Sequence, residues 1–421
     1  MHLSTNRLNS AGTAMAPCLN GELMSQEKLL PWQLDLLWET HNIVIPPIPC
    51  SFPTRNHPDC EMLTEFSDAW VSQNFTDVHG ANVHPSSFAP EHIRKSAFPM
   101  LTTLVYPDGI GERMQPTIKL MIWLFLIDDI LDNRIEMNGD PDLAKKEVDS
   151  LFKVFQDGYL DLSSASGLVR ILMYTAAEWW SELCQDMPPK QIARLAKTFF
   201  DYLAATRKQN SYCESRRVPD METYLQIRNH AGGWWPFAVM IEYCNGFELD
   251  EEALSHPLML DLLKNTVEHI CIANDVISFK KEYVQGGFCN TVLVLYFQKL
   301  YDSKRDLGRP APTLQCAISE AIEMVRQRDE NCVKLMKQVR NCNELMNKPG
   351  MEEYLQGLGL WMSGSIYWHI VTQRYGIRAT REDLHEIPPN MFISHQVKID
   401  VNKEAAPYAP NEEILSAIRP S

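Results

Sequence analysis

Several features are scarce in this sequence, and each scarcity narrows what the chain can be. Its eleven cysteines include no C-x-x-C pair, so neither a zinc knuckle nor, with an odd count, a disulfide framework is expected. A reducing, cytoplasmic setting is the simplest fit. Basic charge is short as well: 39 Lys and Arg against 54 Asp and Glu give a formal net charge of -15, which argues against nucleic acid or an anionic membrane surface as the main partner. No uncharged apolar run approaches the length of a bilayer span. The opening "MHLSTNRLNSAGTAMAPCLNG" lacks the continuous apolar stretch of a signal peptide, so no secretion or membrane insertion is expected. Alternating β-branched runs are rare, which leaves little room for sheet.

What the chain does have is helical periodicity and a long enough sequence, 421 residues with 45% hydrophobic content, to bury a large core. Residues 1–43 show no periodicity and read as a poorly ordered tail. Five prolines between Val44 and Cys60 impose an extended strap. From Cys60 onward, three-and-four spacing dominates, as in Met62, Phe66, Ala69 and Trp70, then Ile118, Met121, Ile122 and Phe125. Helices are expected near 142–158, 166–185, 189–209, 220–243, 258–284, 288–302, 313–345, 350–358 and 360–376. With no repeat and no linker after Cys60, the expectation is one all-α domain over 44–380, followed by a tail or lid segment over 381–421.

Against this apolar background the stretch "MIWLFLIDDILDN" is anomalous. Asp128 and Asp132 stand at i and i+4, on one face of a helix, while Asp129 points about 100° away. Clustered carboxylates beside buried apolar residues repel one another and resist burial unless a cation compensates them. The C-terminal end of a helix, where the macrodipole disfavours anions, is a poor place for incidental aspartates. A second polar row occurs in "NDVISFKKE": Asn274, Ser278 and Glu282 fall at i, i+4 and i+8, three oxygen donors in line, suited to a hard divalent cation. Lys281 lies beside Glu282, and Asn290 follows Gly286 and Gly287.

These two motifs, in this order, resemble those of the class I terpene synthases, specifically the single-domain microbial, fungal-type enzymes that cyclise linear isoprenoid diphosphates. Asp128, Asp129 and Asp132 match the family's aspartate-rich motif, and Asn274, Ser278 and Glu282 its second metal motif. Arg228, forty-six residues before Asn274, matches a diphosphate-sensing arginine, and Arg374 with Tyr375 a C-terminal Arg-Tyr pair. Ser365 departs from the family's frequent Asn, and Ala231 from an acidic linker. The strap and the segment around Tyr106 and Pro107 are also similar.

The resemblance implies an all-α helical bundle around an active-site cavity. It also implies three Mg²⁺ ions held by Asp128, Asp132, Asn274, Ser278 and Glu282, and a diphosphate bound by Arg228, Lys281, Arg374 and Tyr375. Asp129 is expected to face elsewhere and to hydrogen-bond a neighbour. Gly232, four residues after Arg228, matches a region where the family breaks its helix and a backbone carbonyl senses the cation. A Gly-Gly pair inside a helix predicts a kink there on its own account. An allylic cation needs a dry, aromatic surround, for which the candidates are Phe98, Trp123, Phe125, Trp234, Trp235, Phe237, Trp361 and Trp368. Phe125 leads them because it lies one turn before Asp128. His230 and Glu178 read as structural.

The implied activity is cyclisation of farnesyl diphosphate to a sesquiterpene hydrocarbon or alcohol by a monomer or homodimer. Geranylgeranyl diphosphate is the alternative substrate, and a chain-elongating prenyltransferase or a silent helical scaffold are more distant alternatives.

Overall fold

In the computed structural model, residues 43–75, 88–132, 149–157, 167–215, 217–284, 289–305, 311–375 and 399–400 are described. The expected tail over 1–43, apart from Ile43, and nearly all of 381–421 lie outside them.

Fifteen α-helices are described. They are α1 Cys60–Phe75, α2 Pro90–Lys95, α3 Phe98–Val105, α4 Gly111–Asp132, α5 Val154–Asp157, α6 Gly167–Asp186, α7 Pro189–Glu214, α8 Met221–Ala231, α9 Trp235–Asn245, α10 Glu251–Leu254, α11 Pro257–Val284, α12 Thr291–Arg305, α13 Leu314–Arg340, α14 Asn343–Met346 and α15 Met351–Val371. A 3₁₀ turn, Gln373–Tyr375, follows α15. The fold is all-α. The single exception among the described residues is a two-residue antiparallel pairing of β1 (Val44–Ile45) with β2 (Ile399–Asp400).

Burial explains the layering. In α4 every residue from Pro116 to Ile127 is buried, and α15 is buried through almost its whole length. A helix apolar on all sides belongs in the middle of a bundle. Helix α11 joins them, packing on α13, α15 and α8. The outer helices are amphipathic; α13 buries Ala317, Ile318, Ala321, Ile322 and Val325, and further along Asp329, Cys332, Met336 and Val339, in one stripe and turns its charged face to solvent. Inside the bundle, the lone cation on the apolar part of α4, Lys119, is compensated by Glu178 and Glu182, each at 2.6 Å. Glu178 also accepts from Trp70.

Three expectations about elements change. Of the periodic set on α1 only Trp70 is fully buried: Met62 and Ala69 are exposed and Phe66 is half-buried, and the buried face carries Leu63, Ser67, Trp70 and Val71. The segments 350–358 and 360–376 form one continuous helix, α15, through to Val371. Gly359 does not interrupt it; a Cβ there would come within 2.7 Å of the Phe52 ring, so the glycine serves close packing of the strap. Conversely, 220–243 is two helices, α8 and α9, parted at the Gly-Gly pair as expected. Gly233 has φ +68, a left-handed conformation that glycine adopts without penalty.

The strap is laid over α11, α13 and α15 by specific bonds. The Val44 backbone is bracketed by the Gln315 amide at 3.0 and 2.9 Å. Ser51 donates from its backbone N–H and hydroxyl to the two Asp329 oxygens, at 2.9 and 2.6 Å. Ser363 donates to the Pro53 carbonyl at 2.7 Å.

Candidate active site

The two acidic motifs face each other from α4 and α11, and the residues between them divide into three groups. The first centres on α4. Tyr202, from α7, donates to Asp128 Oδ1 at 2.8 Å. Burial pushes the Asp128 carboxyl up, and the Tyr202 hydroxyl counteracts part of that. Asp132 ends α4, and its side chain lies outside the described residues.

Asp129 overturns the expectation that it faces away from the site. It is buried, and it accepts both guanidinium arms of Arg374, at 2.9 and 2.6 Å. Lys281 adds a third cationic contact at 3.4 Å. Burial alone would raise this carboxyl, but Arg374 and Lys281 override it and hold it at about 2. A fork-to-fork pair of this kind fixes geometry as well as charge. The 3₁₀ turn after α15 is thereby clasped to the end of α4. Arg374 and Lys281, two groups expected to take a diphosphate, both contact this internal anion.

The second group centres on α11. Arg228, from α8, donates to Asn274 Oδ1 at 2.7 Å and to Asp275 Oδ1 at 3.0 Å. Burial opposes the charge on Arg228, but Asp275 outweighs it and keeps the guanidinium firmly protonated. Asp275 is fully buried and also accepts from the Thr291 N–H and hydroxyl, at 3.0 and 2.6 Å, and from Tyr224. Ser278 donates to Glu282 Oε1 at 2.6 Å, and Asn290 to Glu282 Oε2 at 2.9 Å. Burial, and next the Asp275 charge, push the Glu282 carboxyl up.

Asn274 Nδ2 reaches His369 Nε2 at 2.8 Å and the Tyr375 hydroxyl at 3.2 Å. His369 Nδ1 lies 2.6 Å from the Ser365 carbonyl, and burial drives the imidazole down to about 3. It is therefore neutral, with Nδ1–H donated to the carbonyl and Nε2 accepting from the amide. That fixes the Asn274 amide with its oxygen toward Arg228 and one lone pair to spare. Asn274 Oδ1, Ser278 Oγ and the Glu282 carboxylate are all-oxygen donors in one row, a set that suits a hard divalent ion.

The third group is aromatic. Phe125 stacks on Phe98, with ring centroids 4.7 Å apart, and lies 5.2 Å from Trp368 and 6.3 Å from Trp234. The Arg374 guanidinium lies over Phe125 at 5.2 Å and over Phe98 at 5.9 Å. Trp368 is anchored by its indole N–H to the Ser96 and Ala97 carbonyls at 2.9 and 3.0 Å. Gly232 closes this wall, since a Cβ on it would come within 2.7 Å of both Trp234 and the Cys271 sulfur.

Not every candidate joins the group. Trp123 faces the opposite way, packed among Phe152, Phe155, Trp179 and Phe199 with its N–H on the Leu172 carbonyl at 2.9 Å. It lies two residues from Phe125, about 200° around the helix, so it cannot share that wall. Trp361 is fully buried two turns before Trp368 and has no ring partner in the aromatic set. Trp235 is half-buried, stacked on His230 at 5.6 Å and donating to Asn229. Phe237 touches the wall through Trp234 at 5.5 Å.

Sequence reasoning missed Tyr202, Tyr224 and Asp275, and read His369 with the other histidines as structural or as support for a neighbouring group. Asp275 had a signal, since a carboxylate next to Asn274 on an apolar helix needs a buried partner.

Among known proteins, the model of terpene synthase family 2, C-terminal metal binding, matches residues 119–334. Microbial Terpene synthase-like protein 13 of Selaginella moellendorffii is 24% identical over 331 residues, spanning 79% of this chain and 86% of that protein. Alpha-muurolene synthase of Coprinopsis cinerea is 24% identical over 330 residues, spanning 77% of this chain and 72% of that protein. The crystal structure of germacradien-4-ol synthase from Streptomyces citricolor superposes with a TM-score of 0.60 at 20% identity, over 77% of this chain and 97% of that one. The matched region runs from the middle of α4, through the Arg228 and Asn274 groups, into α13, and by it the chain belongs to the class I terpene synthases, a family of lyases.

Proposed function

We propose that this terpene synthase ionises farnesyl diphosphate with the help of Mg²⁺ and cyclises the resulting cation to a sesquiterpene hydrocarbon or alcohol, releasing diphosphate. The observation that carries the reading is the junction of three surfaces: the Asp128 carboxylate, the Asn274–Ser278–Glu282 donor row, and the Phe98–Phe125–Trp234–Trp368 wall. The likeness to sesquiterpene synthases 1 and 2 of Postia placenta makes the C15 class the first choice.

Asp128 and Asp132 on α4, with Asn274, Ser278 and Glu282 on α11, would hold the Mg²⁺ ions, three by the resemblance. Bound there, Mg²⁺ supplies Lewis-acid stabilisation of the departing diphosphate. Arg228, kept protonated by Asp275, donates to the leaving group. Arg374 and Lys281 supply two further cations when they exchange Asp129 for diphosphate oxygens, with Tyr375 beside them. Carbon–oxygen cleavage leaves an allylic cation on the substrate. Phe125, Phe98, Trp234 and Trp368 face it with π-electrons and exclude water. His369, neutral and buried, keeps the Asn274 amide oriented.

The test is incubation with Mg²⁺ and, separately, geranyl, farnesyl and geranylgeranyl diphosphates, with products read by gas chromatography and mass spectrometry. A cyclic C15 product from farnesyl diphosphate is expected. A C20 product alone transfers the reading to a diterpene cyclase, and longer diphosphates made on adding isopentenyl diphosphate transfer it to a prenyltransferase. No turnover in any arm overturns it.

A further inference from the structure

Away from the active site, where the strap crosses α11 and α13, three potential ligands of different chemistry meet. They are Cys50 on the strap, His269 on α11 and Asp329 on α13, whose ligand atoms all lie within 4.8 Å of one another. We propose that Cys50, His269 and Asp329 form a Zn²⁺ site that staples the strap to the helical core.

The imidazole is prepared for this role. His269 is fully buried, and its Nε2 lies 2.9 Å from the Pro49 carbonyl. A carbonyl can only accept, so Nε2 carries the proton and Nδ1 presents a lone pair. That Nδ1 is buried and has no hydrogen-bond partner. An orphaned buried acceptor is destabilising, and a cation between it and its two neighbours removes the penalty. A metal-bound histidine whose other nitrogen donates to a backbone carbonyl is the usual outer arrangement of such sites.

The other two ligands are held as firmly. Asp329 is oriented by the Ser51 N–H and hydroxyl at 2.9 and 2.6 Å, from the residue next to Cys50. The Phe52 backbone N–H faces the Cys50 sulfur, a contact that favours thiolate, although burial leaves the unmetallated thiol pushed up to about 12. Metal binding transfers the thiol proton to solvent.

Sulfur, imidazole nitrogen and carboxylate oxygen together select a borderline-soft ion over Mg²⁺. Zinc bonds of about 2.3 Å to sulfur and about 2.0 Å to nitrogen require the three atoms to close in by about 1 Å, with water as fourth ligand. The site is separate from the α4 and α11 motifs: His269 lies more than a turn from Asn274, and the donor sets differ in hardness.

Co²⁺ is the spectroscopic probe, added to the full-length protein already saturated with Mg²⁺ so that the all-oxygen donors are occupied. The expected result is a thiolate-to-cobalt charge-transfer band saturating at one equivalent, displaced by Zn²⁺, and lost in Cys50→Ser. Cys50 is only half-buried, so that variant is expected to fold, as circular dichroism would check; His269→Gln should lose the same band. Zn²⁺ should also raise the melting temperature of the native chain and leave that of Cys50→Ser unchanged. Absence of the band in the native protein, or its persistence in Cys50→Ser, overturns the proposal.

Discussion

Two aromatic clusters flank α4, built from the same residue types on opposite sides of one helix. On one side Trp123 packs edge-on against Phe152, Phe155, Trp179 and Phe199. On the other, Phe125 packs with Phe98, Trp234 and Trp368. The first cluster is closed: its rings meet one another, and the Trp123 N–H ends on a helix carbonyl. The second meets charge, with Arg374 over two of its rings and His369 and Tyr375 against Trp368. Aromatic surface alone is core. Aromatic surface beside an arginine and a metal-donor row is a surface able to stabilise a cation.

The strongest way to break the comparison is to remove the donors that make the second side chemical. Asp128→Ala and Asn274→Ala should each reduce turnover at saturating Mg²⁺ by a factor on the order of 100 or more, with melting curves that still show a cooperative fold. Near-native turnover in both would separate the aromatic wall from catalysis altogether.

Next in size is the exchange of roles between neighbours. Trp123→Ala should cost about 3–5 kcal/mol of stability while leaving the product spectrum of the surviving folded enzyme unchanged. Phe125→Ala should change that spectrum and lower turnover by roughly tenfold or more, as loss of a desolvated cation–π contact of about 2 kcal/mol implies. If the two variants altered products equally, α4 would not be two-sided.

Asp129→Asn tests the clasp. Leaving Arg374 buried beside a neutral amide should cost about 3 kcal/mol at neutral pH, as breaking a buried pair does. The clasp also has a pH signature. The native carboxyl, held at about 2, lies below its ordinary value near 4. The stabilisation is therefore complete above about pH 4 and is lost as pH falls toward 2. Stability curves of native protein and Asp129→Asn should converge over that interval; a constant gap down to pH 2 would remove the clasp as the cause.

How much of this was legible beforehand follows from geometry. The i, i+4 and i+8 rows were legible because helix periodicity alone puts Asn274, Ser278 and Glu282 on one line. The break at Gly232 and Gly233 was legible because glycine pairs disfavour helix. The sidedness of α4 was not. A helix buried all round carries no amphipathic signal: Phe125 stood out only by lying one turn before Asp128, and Trp123 counted as a wall residue beside it until its partners were placed. The same holds for Asp129, whose partner Arg374 is 245 residues away. The continuity of α15 through Gly359 depended on Phe52, a residue of the distant strap.

The smallest expected effect is the most discriminating, because one turn of α7 serves both clusters. Phe199 stacks on Phe155 at 4.4 Å in the closed cluster, and Tyr202 follows three residues later to donate to Asp128. Tyr202→Phe keeps the ring and removes only the hydroxyl. Stability should fall by about 1 kcal/mol, the net worth of a typical hydrogen bond. The larger consequence is positional. An outer group that orients a metal ligand typically contributes about tenfold or more in metal affinity, so the Mg²⁺ concentration for half-maximal turnover should rise by roughly that factor. Turnover at saturating Mg²⁺ should stay close to native. Phe199→Leu, one turn earlier, should lower stability and leave the Mg²⁺ dependence untouched. A shift in Mg²⁺ dependence in both variants would mean that packing, rather than the hydroxyl, sets Asp128, and the boundary between core and site would then lie beyond α7.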